Sequence, residues 1–158
     1  MSKNYRPGAI GALLDEYERA LADLKRVIGT IPDNDLTMII DPNTQDDNCR
    51  SFQTILTHVV HSGYGYATSI YNLKGHDKVR PGKVFHGTMK EYLNDLDSVF
   101  SFTEKVLAEF TDQDLEQFDN ARKIKAGWGQ VYDVEQMMEH AIVHILRHRR
   151  QIEKFKGQ

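Results

Sequence analysis

Four segments of this chain repeat apolar residues every three or four positions, and this repetition restricts the fold more than any other feature. The first segment runs from Gly8 to Ile28, with Leu13, Leu14, Tyr17, Leu21, Leu24 and Ile28 on one stripe. That spacing puts them on one face of a helix, and a face so apolar must be buried. Gly29 and Ile31-Pro32 end the segment, because proline lacks the amide proton that a continuing helix needs. Ser51 reads as the N-cap of a second helix that reaches Leu73, with Phe52, Ile55, Leu56, Val59, Tyr66, Ile70 and Leu73 inward. Thr88-Met-Lys-Glu91 is a capping box that opens a third, whose inward line runs from Met89 through Leu96 and Val99 to Phe110. Asp133-Val-Glu-Gln136 opens a fourth, which extends to Phe155.

The connections carry turn chemistry. Asp33 to Arg50 is polar, contains Asp41-Pro42-Asn43, and is long enough to hold a short helical turn. Pro81-Gly82 and Gly87 mark a loop between the second and third helices. Thr111 to Asp114 reads as a short extra turn, and Phe118 to Tyr132, with Gly127-Trp128-Gly129, as irregular or briefly extended. Four such helices in 158 residues predict an all-α four-helix bundle, one domain over residues 1–158.

A net charge of −3 with no concentrated basic face argues against a nucleic-acid partner. Arg147, Arg149, Arg150, Lys154 and Lys156 gather at the end of the last helix, where cations complement its dipole. No run is long enough to span a bilayer and none resembles a signal peptide. Cys49 is the only cysteine, so no intrachain disulfide forms, and nothing local marks its thiol as activated. A cytoplasmic enzyme or binding protein is the expected class.

The fourth helix contains His140, His144 and His148 at successive fourth positions. On a wheel, His148 lies about 30° from the centre of the apolar arc, His144 about 70° and His140 about 110°. His148 therefore interrupts the buried stripe, His144 borders it and His140 stands at the rim. Two neighbouring imidazoles in a core need two sets of hydrogen-bond partners, or one metal ion that serves both. A pair of hydrogen-bonded core histidines is the competing reading. Across the bundle the second helix offers His58, about 100° from its apolar centre, and His61, about 165° away. His58 is the better candidate. Its line along the helix is Ser51, Ser62, Gly65 and Ser69, small residues that leave room for a cavity. His61, His76 and His86 read as surface residues. Tyr64, Tyr66 and Trp128 are candidates for a pocket wall. Arg147, Arg149 and Arg150 read as solvated or structural, with a grip on a substrate carboxylate as the second reading. Neutral imidazoles suit zinc, nickel, copper or ferrous iron, and three of them without a fourth protein ligand leave positions open for catalysis. Ala141 and Ile145 follow His140 and His144, so the motif lacks the glutamate of a zinc metalloprotease.

Ser51-Phe-Gln-Thr-Ile-Leu-Thr-His58, followed by His144-x-x-x-His148-Arg149-x-Gln151, resembles the DinB-like superfamily. That superfamily includes proteins described as metal-dependent hydrolases, bacterial thiol-dependent S-transferases and a thiol-dependent maleylpyruvate isomerase. The resemblance implies a four-helix bundle in which His58, His144 and His148 hold a divalent metal ion, zinc or nickel first and iron next. It implies that Arg149 and Gln151 orient the site or the neighbouring helix, while the rim position of His140 on the wheel gives it a supporting or solvent-exposed role. Arg150 stands where many relatives have glycine, a departure at the edge of the motif. The implied function is a metal-dependent hydrolase or small-thiol S-transferase. The alternative is a non-catalytic metal- or ligand-binding bundle. The expected partners are a small-molecule substrate, among them a low-molecular-weight thiol, and a second copy of the chain in a homodimer, with neither nucleic acid nor membrane.

Overall fold

The computed structural model describes residues 3–157. Its helices are α1 (Gly8–Ile28), α2 (Phe52–Asn72), α3 (Met89–Leu107) and α4 (Val134–Lys156). α1 packs on α4 and α3, and α2 packs on α3 and α4. The stripes meet in the middle, where Tyr17, Leu24, Ile55, Leu56, Leu96 and Met137 are almost fully buried. Removing that apolar surface from water is what holds the four helices together. No helix among the described residues is long and apolar enough to cross a membrane.

Each helix start has a physical cause. Ser51 Oγ accepts the Thr54 N–H at 3.1 Å, and Thr54 Oγ1 accepts the Ser51 N–H at 3.0 Å, so α2 opens on a reciprocal cap. Thr88 with Glu91 and Asp133 with Gln136 do the same for α3 and α4. α1 has no such cap from its own flank, since Pro7 precedes it. Its first free amides, on Ala9 and Ile10, donate instead to the Asp112 carboxylate at 3.1 and 3.0 Å. A negative group there also complements the helix dipole. Gly8 has φ 75°, and a Cβ at this position would collide with Asp112, so glycine is required on both counts.

The connections hold short 3₁₀ turns at Asp33–Asp35, Asp47–Cys49, Asp112–Asp114 and Asn120–Arg122. The stretch before α4 forms a small antiparallel ribbon of β1 (Ile124–Lys125) and β2 (Val131–Tyr132), with Ile124 opposite Tyr132. Trp128 sits in its turn, beside Gly129 at φ 100°. Two expectations are corrected here. Leu73 lies past the end of α2 and is 39% exposed, because the chain turns away at Lys74-Gly75. His86 is not a surface residue. The loop between α2 and α3 folds back along α2, held by bonds from Gln53 Nε2 to the His86 carbonyl and from the His86 N–H to the Tyr92 phenol oxygen. The His86 ring then lies 2.6 Å from the Asp95 carboxylate.

Candidate metal centre

α2 and α4 face each other along the seam that carries the histidines. His58 comes from α2, and His144 and His148 come from consecutive turns of α4. His58 Nε2 lies 3.0 Å from His144 Nε2, which lies 3.1 Å from His148 Nε2. One ligand atom from each of the three falls within 4.8 Å of the others. His148 is buried at 6% exposure, while His58 and His144 are half-buried.

Hydrogen bonding among the rings does not satisfy this cluster. A ring nitrogen has one in-plane bonding direction, as donor or as acceptor, yet His144 Nε2 faces two other Nε2 atoms at once. His148 Nδ1 stands 2.8 Å from Gln151 Oε1. An amide oxygen only accepts, so Nδ1 carries the proton and Nε2 presents a lone pair. His144 Nδ1 is buried with no partner. Burial disfavours the imidazolium form throughout. It pushes His58 down to about 4, helped by His148, and His144 down to about 3, helped by His148 and His58. His148 is lowered too, first by burial. Near neutral pH all three rings are uncharged, the form that ligates metal. Three converging neutral nitrogen donors fit a divalent cation.

His140 does not join the trio. Its ring stacks on Trp128, with centroids 4.7 Å apart and planes 17° apart, and meets the Tyr66 ring at 5.3 Å. Gln151 touches His148 as described. Arg149 points the other way, with Nη1 4.0 Å from Asp23 of α1. Arg150 is exposed. His61 and Tyr64 line a separate, smaller cavity under the loop between α2 and α3.

A cavity of about 590 Å³ opens beside the trio. His58, His140 and His144 form one part of its wall, and Tyr66, Trp128 and Met137 form an apolar part. Ser62, Gly65 and Ser69 line it as their spacing predicted, whereas Ser51 is spent as the N-cap of α2. Three polar residues, Thr68, Arg80 and Gln130, were not singled out from the sequence. Thr68 lines the cavity beside the serines, and Arg80 reaches it from the loop. Arg80 lies in a stretch with no periodicity, so only the small residues of α2 hinted that something crosses there.

No curated protein matches the chain. The model of the DinB family matches residues 1–154. That match covers α1 to α3, all but the last two residues of α4 and the three converging histidines, and on it the chain belongs to the DinB family.

Proposed function

We propose that the chain is a metal-dependent enzyme that acts on a small molecule in the cavity beside its three histidines, by transferring a low-molecular-weight thiol to an electrophile. The supporting observation is the convergence of three neutral Nε2 atoms at a cavity of small-ligand size. His58, His144 and His148 would hold the ion, zinc or nickel first and ferrous iron next, with coordination positions left over for a reactant. A bound divalent ion supplies Lewis acidity, which favours the deprotonated form of a nucleophile beside it. The chain's own side chains do the rest. Gln151 fixes the tautomer of His148, and burial keeps His58 and His144 uncharged, each with one ring nitrogen free to bind. His140 lines the cavity, is held neutral by burial, and is placed to accept the proton that a nucleophile releases. Trp128, Tyr66 and Met137 keep one wall dry.

Among the described residues, no aspartate or glutamate lines this cavity. Zinc metalloproteases use such a carboxylate as general base, so metalloprotease-type hydrolysis is disfavoured and thiol transfer is the reading we prefer. Protein purified without a histidine tag is expected to carry a divalent metal, and His148→Ala to lose it while circular dichroism confirms a folded helical chain. Unchanged metal content in that variant would overturn the site. Metal-loaded protein is then assayed with small thiols plus electrophiles, and with esters and amides alone. Thiol-independent ester cleavage would make it a hydrolase, and metal retention without either activity would make it a binding protein.

A further inference from the structure

Resting on the metal-site reading above, we propose that the cavity takes small organic carboxylates, with the Arg80 guanidinium holding the carboxylate at the mouth. Arg80 lines the same cavity as His58 and His144. Its approach depends on Gly65: a Cβ there would stand 2.7 Å from Arg80 Nη1 and 3.2 Å from its Cδ. The missing side chain on α2 is therefore the space the guanidinium occupies. Among the described residues Arg80 has no carboxylate partner, whereas Arg6, Arg50 and Arg149 each face one. The arginines of α4 that the sequence offered for this role do not line the cavity.

The rest of the lining mixes polar and apolar groups. Ser62, Ser69 and Gln130 line the cavity together with Trp128 and Tyr66. A guanidinium with no carboxylate partner among the described residues, and the apolar rings of Trp128 and Tyr66 in the same lining, describe a site for an aromatic or aliphatic acid. A planar guanidinium matches a carboxylate in two parallel bonds. The reacting end of such a ligand would lie toward the histidines.

Trp128 is the only tryptophan and lines the cavity, so its fluorescence reads occupancy without any turnover. Benzoate, phenylacetate and 4-phenylbutyrate are titrated against their uncharged amides, on zinc-loaded and on metal-stripped full-length chain. At least one acid is expected to bind saturably and more tightly than its amide. Arg80→Gln, an exposed change, should weaken acid binding by about fivefold to tenfold in both metal states, leave amide binding unchanged, and retain the zinc content of the parent. Arg80→Lys should fall between, because it keeps the charge and loses the fork. Equal effects on acid and amide, no effect on the acid, or no saturable binding of any of the three acids would overturn the proposal. So would acid binding that ignores Arg80 and disappears with the metal, since the carboxylate would then be sitting on the ion. Zinc content is measured on the same samples, so a failed metal site and a failed anion grip are told apart.

Discussion

His148 Nδ1 is tied to Gln151 Oε1, and this one bond decides which ring nitrogen faces the other two histidines. The rest of the trio is governed by burial, and burial has a pH consequence. In the folded, metal-free chain His58 and His144 titrate near 4 and 3, against 6.5 for an ordinary histidine. Below 6.5 the unfolded chain takes up protons that the folded one refuses, so acid favours unfolding. The stability these rings contribute is complete above the unfolded value and is lost as pH falls from there toward the folded values. Thermal melts of metal-stripped protein should therefore drop steadily from pH 7 to 4.5, and a His144→Asn variant should drop less. Identical slopes for the two would contradict the assignment. At this scale the sequence was partly legible. The i, i+4 spacing of His144 and His148 is local to one helix, and their graded burial follows from it. His58 was different: its wheel position was only at the border, and the resemblance selected it, because a single helix does not encode how its neighbour crosses it. His86 was misplaced for a related reason, since the folding-back of a loop depends on Gln53 and Tyr92 in separate helices.

Among the elements, α2 carries the greatest burden, with His58, the small-residue line of the cavity and the space for Arg80 all on one helix. Its start is set by Ser51, which is itself buried at 3% exposure. Ser51→Ala removes the acceptor for the Thr54 N–H and should cost about 1 kcal/mol, lowering the melting temperature by about 2–4 °C. Urea denaturation with an unchanged slope is the check, and no loss of stability would mean that water caps the helix equally well. The four helices were readable because their apolar stripes recur within a single turn, and the caps of α3 and α4 because both partners lie three residues apart. The cap of α1 was not readable. Asp112 reaches it from the far side of the chain, and no local pattern announces a partner about 100 positions away.

For the molecule as a whole, the histidine seam joins α2 to α4, while α1 and α3 buttress it from the outside. A ligand that binds only the folded state adds its binding energy to stability. Zinc at a hundredfold excess over its dissociation constant should add about 2.7 kcal/mol and raise the melting temperature by about 5–10 °C. Calorimetry before and after chelation tests this, and an unchanged melting temperature in protein that has demonstrably lost its zinc would show that the ion does not brace the bundle. The class of fold followed from helix number and length, but the pairing of α1 with α4 is a long-range fact. That pairing matters during synthesis. Of the four helices, α1 leaves the ribosome before the others with Leu21, Leu24 and Ile28 on its inner face, and α4, which packs on it, is made after the other three. Until then the apolar stripe has no permanent cover, and a chain stalled before α4 exposes a surface that other nascent chains or chaperones can seize.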